Sequence, residues 1–191
     1  LQRMAAYNTG LRQAQGDIIG LLDSDDEYAP EALMEIHQLF QQHQDYDMVN
    51  VGCTYINIQG TTWTRGPFQP KECEVGHEVF GGGNIVNGTF FFKRAVYEDL
   101  GAFPKGIKTI DVPWYKNTEL FWTSPYDFSA YAQVEFPEIQ QYFTVKHPDH
   151  PAGLPKELGN PFGNDFYLFY KYTRKYKSYP DNKMLLKVHT K

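Results

Sequence analysis

The feature that most constrains this chain is an apolar run that ends abruptly in acid. Ile18-Ile19-Gly20-Leu21-Leu22 is followed at once by Asp23-Ser24-Asp25-Asp26-Glu27. A strand buried on both faces loses its polar alternation, and parallel sheets produce such runs. Residues 17–22 therefore read as a short buried strand. Before it, Met4, Tyr7, Leu11 and Ala14 recur at spacings of three and four, one face of a helix that Gly16 is expected to end. After it, Pro30 opens a second helix at its first turn, with Leu33, Ile36 and Phe40 as its buried stripe and an end near His43. Residues 48–58, rich in Val, Tyr and Ile, form the next strand. Helix, strand, acidic loop, helix, strand predicts an α/β fold: a mostly parallel, Rossmann-like sheet flanked by helices.

Further on, 61–70 reads as a loop or hairpin and Gly81-Gly82-Gly83 as a flexible or tightly turned segment. A strand is expected within 84–93, carrying Ile85, Val86 and Phe90 to Phe92. A short helix over 94–100 is ended by Gly101. From 104 to 162 periodicity fades among prolines and aromatics, which predicts a long irregular lobe. Residues 164–177 return to helix and 183–189 to strand. The whole chain, 1–191, reads as one domain in three parts: 1–103, an irregular lobe at 104–162, and a helix and strand at 163–191.

Composition narrows the partners. The net charge is −5 with no Lys/Arg stripe, so nucleic acid is not expected. Cys53 and Cys73 lack metal-site spacing and read as free thiols of a reducing compartment. No run approaches the roughly 20 apolar residues of a membrane span. The expected setting is cytoplasmic, at most peripheral to a membrane.

Ligands of open α/β sheets bind outside the carboxyl ends of the strands. Asp23, Asp25 and Asp26 stand at such an end. Three carboxylates so close repel one another, and Mg²⁺ or Mn²⁺ is the natural occupant of hard oxygen ligands. Mg²⁺ usually takes only one or two carboxylates and leaves the rest to waters and substrate phosphates, which suits a metal-bridged diphosphate. Read alone, the cluster is equally a solvated turn capping the following helix.

The surroundings go further. Asn8-Thr9-Gly10-Leu11, Ala14-Gln15-Gly16-Asp17, Leu22-Asp23-Ser24-Asp25-Asp26 and Pro30 together resemble glycosyltransferase family 2. Gly88-Thr89-Phe90-Phe91-Phe92-Lys93-Arg94 with Leu100-Gly101-Ala102-Phe103 resembles that family's acceptor-side segment. Gly163-Asn164-Asp165-Phe166 resembles the start of its base-bearing helix, with Asn164 where an acid is usual. The resemblance implies a GT-A fold whose first βαβ unit has no counterpart in this chain. It implies Arg3, Asn8, Asp23 and Asp25 on the nucleotide sugar, Asp25, Asp26 and His189 on the metal, and Asp165 as catalytic base. The implied partners are a UDP- or GDP-sugar donor and a carbohydrate or other hydroxyl acceptor.

In an inverting transfer the acceptor hydroxyl attacks the anomeric carbon opposite the leaving diphosphate. It needs a general base within hydrogen-bond reach, and the diphosphate needs positive charge. Two separate acidic positions follow, the 23–26 cluster and Asp165. Glu119, before Leu120-Phe121-Trp122, is the next candidate base. Trp114, Tyr115, Phe121, Trp122, Tyr126, Phe128 and Tyr131 read either as an acceptor platform or as a satellite core. Two other readings compete. A haloacid-dehalogenase-like phosphatase also sets D-x-D after a buried strand but wants Thr or Val where Glu27 stands. A non-catalytic sugar-nucleotide-binding module is the second.

Overall fold

The computed structural model describes residues 2–67, 86–103, 135–136, 143–147, 150–155 and 164–190. The elements among them are α1 (Gln2–Gln13), β1 (Ile18–Gly20), β2 (Asp26–Tyr28), α2 (Ala32–Gln42), β3 (Met48–Asn57), β4 (Thr62–Arg65), a 3₁₀ turn (Asn87–Thr89), β5 (Phe90–Lys93), α3 (Arg94–Leu100), β6 (Phe143–His147), β7 (His150–Pro155), α4 (Asn164–Thr173) and β8 (Ser178–Thr190).

The main sheet runs β1-β5-β3-β8-β2, with β4 paired to β3. It is mixed, which corrects the expectation of a mostly parallel sheet. Of its pairs only β3 with β8 is parallel. β5 lies antiparallel between β1 and β3. Those two strands and β8 still share one direction, so the helix-strand alternation indicated the direction of the strands correctly. Which strands become neighbours is a long-range matter, and β5 arrives from some 70 residues after β1 to separate it from β3.

Phe90, Phe91 and Phe92 explain the two-sided core. Phe90 and Phe92 face a cluster built with Leu11, Ile19, Met48, Val96, Phe103 and α4. Phe91 faces the other side, with Ala32, Ile36, Leu39, Phe40, Val49 and Val51. A central strand covered by helices on both faces must be apolar throughout. The buried stripe of α2 differs by a rotation from the expected one: Leu33 is 68% exposed, while Ala32 and Leu39 are buried. The positions 32, 36, 39 and 40 follow the helical period just as well as 33, 36 and 40, and only the sheet decides between them.

Gly16 lies past the end of α1, which closes at Gln13; it does not cap the helix in the left-handed region. β8 is longer than the expected 183–189, because it starts at Ser178 and passes two register shifts opposite Val51 to Cys53. The expected hairpin after β3 is β4, and a further two-stranded hairpin, β6 with β7, falls within the span expected to be irregular. No helix among the described residues is long and apolar enough to cross a membrane. Cys53 is free and buried, and burial raises its thiol pKa. Cys73, Gly81 to Gly83, Glu119 and the aromatics from Trp114 to Tyr131 lie outside the described residues.

Candidate functional site

β1 ends at Gly20, and Leu21 is buried before the chain reaches water at Leu22. The amide of Asp26 then donates to the carbonyl of Asp23 at 3.2 Å, closing a turn that presents Asp23, Ser24 and Asp25. Asp and Ser suit such a turn because their short side chains compete for local backbone groups. Asp26 leaves the turn as the first residue of β2, whose partner is the C-terminal strand: Asp26 pairs with Val188, and Glu27 with Lys187. Sequence positions 160 or more apart are thereby brought together.

His189 arrives by this route. Its backbone N–H donates to Asp26 Oδ1 at 3.3 Å, while its ring Nε2 lies 2.9 Å from Glu27 Oε1. The expected trio of Asp25, Asp26 and His189 is thus close in the fold, but the imidazole is directed to Glu27. Among the described residues no group of three or more His, Cys, Asp or Glu side chains is gathered as a metal-ligand set. Burial raises the pKa of Asp26, and the negative charges of Asp23 and Asp25 push it further the same way. Glu27 is lowered, first by its bond to His189 and then by the Lys187 ammonium.

Asp23 has a partner that the sequence reading did not name. The Tyr7 hydroxyl donates to Asp23 Oδ1. Tyr7 was legible only as a helix-face residue, although a packed tyrosine generally seeks a partner for its hydroxyl. The Tyr7 ring stacks on Phe103 at 5.7 Å between centroids, and Phe103 stacks on Tyr167 of α4 at 6.0 Å. Asp165 lies in the first turn of α4, two residues before Tyr167. The acidic turn and the helix bearing Asp165 are therefore joined through three packed rings.

Asn8 is buried, and its carboxamide is committed. Nδ2 donates to the Phe103 carbonyl at 2.9 Å and Oδ1 accepts the Phe103 N–H at 3.1 Å. A cleft of about 330 Å³ opens beside this pair, lined by Arg12, Tyr97, Glu98, Gly101 and Ala102. Arg3 lies in α1, one turn before Tyr7. Glu135 is a second residue sequence reasoning missed. Its Oε2 accepts the Tyr167 hydroxyl at 2.5 Å, and Lys171 Nζ lies 3.7 Å from its Oε1. Nothing in the local sequence marks it, since the contact depends on α4.

Residues 2–101, which hold the acidic turn, the Asn8 helix and the strand before α3, match the family model described as Glycosyl transferase family 2. The chain belongs to glycosyltransferase family 2. Membership carries the GT-A fold and, in general terms, sugar transfer from a nucleotide sugar. Comparison with curated proteins returned no match. Within this family 2 domain the matched region ends at Gly101, so α4, Asp165 and β8 lie outside it.

Proposed function

We propose that this chain transfers a sugar from a UDP- or GDP-sugar to a hydroxyl of a carbohydrate or other acceptor, with inversion, using Mn²⁺ or Mg²⁺. The observation that carries the reading is the path from Asp23 through Tyr7, Phe103 and Tyr167 to the helix that carries Asp165 in its first turn. An inverting transfer needs one acidic position at the departing diphosphate and another at the acceptor. Rigid ring packing between the two supports that division of labour.

The donor set of the turn fits a hard divalent cation. Its carboxylates offer only oxygen ligands, and Asp26 already bears the repulsion of Asp23 and Asp25. Asp25 and Asp26 would hold the ion, leaving further positions to diphosphate oxygens and water. When bound, it would supply Lewis-acid stabilisation to the leaving group. His189 would join only by releasing Glu27. Asp23, oriented by Tyr7, and Arg3 are assigned to the nucleotide sugar. Asn8 is assigned an indirect part, since its amide holds Phe103. Asp165 is assigned to accept the proton of the attacking hydroxyl.

The test is calorimetric titration with UDP and with GDP, each with and without Mn²⁺, followed by turnover of the matching sugar nucleotides. Metal-dependent nucleotide binding together with nucleotide release from the donor supports the reading. Binding without any turnover favours a non-catalytic module, and hydrolysis of a simple phosphomonoester favours a phosphatase.

A further inference from the structure

The β3–β4 hairpin carries an aromatic pair that neither the fold nor the reaction above requires. Tyr55 and Trp63 are directly opposite in the ladder, and their rings stack with centroids 5.3 Å apart and planes within 8°. Trp63 remains 44% exposed. Cross-strand aromatic pairs do stabilise hairpins, but this hairpin is held without the outer face of Trp63. The Asn57 side-chain oxygen accepts the N–H groups of Gln59 at 3.0 Å and Thr61 at 2.8 Å, and Gly60 makes the turn at φ 78°. The result is a stiff support for one large flat ring whose other face meets water.

The position of the pair gives it a direction. Asp26 is in register with Val188, Val188 with Tyr55, and Tyr55 with Trp63. One row across the sheet therefore leads from the acidic turn to the aromatic pair. Strands are spaced by about 4.8 Å, so three steps set Trp63 roughly 14 Å from Asp26. Thr62 and Thr64, one residue to either side on β4, are exposed on the opposite face of the sheet and leave this face to the ring pair. On the Trp63 face, two residues along β4, the Arg65 guanidinium donates to the Tyr55 hydroxyl. A flat apolar ring with a tyrosine hydroxyl and a guanidinium on the same sheet face is the chemistry that holds a pyranose, whose C–H face packs on the ring while its hydroxyls bond to the polar groups beside it.

We propose that Tyr55 and Trp63 form a carbohydrate platform that holds a distal sugar ring of an extended oligosaccharide acceptor. This rests on the transfer reading above, and it narrows the acceptor to a chain long enough to reach from the acidic turn to β4. A monosaccharide acceptor cannot bridge that span.

The test is saturation-transfer NMR and titration of the full chain. The probes are tetrasaccharides of glucose, of N-acetylglucosamine and of alternating uronic acid and hexosamine, with their constituent monosaccharides. At least one tetrasaccharide should bind about tenfold more tightly than its monosaccharides, the scale of one good aromatic contact. Trp63→Leu, which keeps an apolar cross-strand contact but removes the flat ring, should lose that tenfold. Trp63→Tyr should restore most of it, and both variants should bind UDP with Mn²⁺ as the parent does. Absence of tetrasaccharide binding at millimolar concentration overturns the proposal, as does equal binding by Trp63→Leu. Trp63-dependent binding to phosphatidylglycerol vesicles in place of any glycan also overturns it. Glycan binding that depends on Trp63 in a chain that binds no nucleotide would leave the platform standing and remove the transfer reading.

Discussion

Asn8 and Phe103 exchange two hydrogen bonds across 95 residues of sequence, the amide of one closing on the backbone of the other. The pair ties α1, which holds Asp23 through Tyr7, to the segment that stacks against α4. Removing the side chain leaves a buried N–H and a buried carbonyl of Phe103 without partners. Asn8→Ala should therefore destabilise the chain by about 1–3 kcal/mol, the cost of leaving buried backbone groups unpaired. Chemical denaturation measures it. A loss under half a kilocalorie would mean that water replaces the amide.

Tyr7→Phe isolates the hydroxyl on Asp23, because the ring stack on Phe103 survives. Groups that orient metal or substrate ligands typically cost about 10- to 100-fold in affinity when removed. Weakening of UDP–Mn²⁺ binding by about tenfold is expected, with little change in unfolding free energy. Unchanged affinity would show that Asp23 does not contact the nucleotide complex.

Asp165→Asn should remove turnover and spare nucleotide binding. Loss of a general base costs about 10²- to 10⁴-fold in rate, and Asn still suits the first turn of a helix. Asp25→Asn should do the reverse, weakening metal-dependent nucleotide binding first. Steady-state rates and calorimetry on the two variants separate the roles. If Asp165→Asn retains most of its turnover, the base is another residue, and Glu119 is tested next.

Gly52 sits where the β3–β8 register shifts, and no side chain fits there. A Cβ would stand 2.5 Å from Met184 Sδ and 2.7 Å from the Arg65 carbonyl oxygen. The Arg65 contact is backbone, so moving Met184 alone gives no relief. Gly52→Ala should cost about 1–3 kcal/mol through overpacking, read as a lower denaturation midpoint. Gly10→Ala, where nothing lies within 4 Å of the added carbon, is the matched control and should not destabilise.

Asp99 supplies a pH dependence. Its carboxylate accepts from Lys175 Nζ at 2.6 Å and the Tyr176 hydroxyl at 2.8 Å, and these bonds hold its pKa below the ordinary value. A depressed folded-state pKa contributes stability that is present above the unfolded pKa, near 4, and is lost as pH falls through the folded value. The site is exposed, so the effect is small. Asp99→Asn should lower the denaturation midpoint slightly at pH 7, and the two proteins should converge once the pH has fallen below the folded value. A difference that persists in acid would point to packing of the ring of Tyr176.

Much of this protein follows from local sequence. The spacing of Tyr7 and Leu11 defines the inward face of α1, and the unbroken apolar run at 18–22 marks a strand covered on both sides. The aspartates at its end mark the candidate site, because acid cannot continue into a core. These are burial signals, and burial is written residue by residue. Pairing is not. Phe90 to Phe92 announce a central strand without saying that it separates β1 from β3. Lys183 to His189 announce a strand without saying that it returns beside Asp26 or delivers the imidazole of His189 to Glu27. Leu33 and Leu39 satisfy the same helical period, and only the approach of β3 and β5 buries one and exposes the other. The Asn8–Phe103 exchange, the Glu135–Tyr167 bond and the row from Asp26 to Trp63 join positions far apart in the chain. Their energies depend on which surfaces meet, and that is decided when the whole sheet closes.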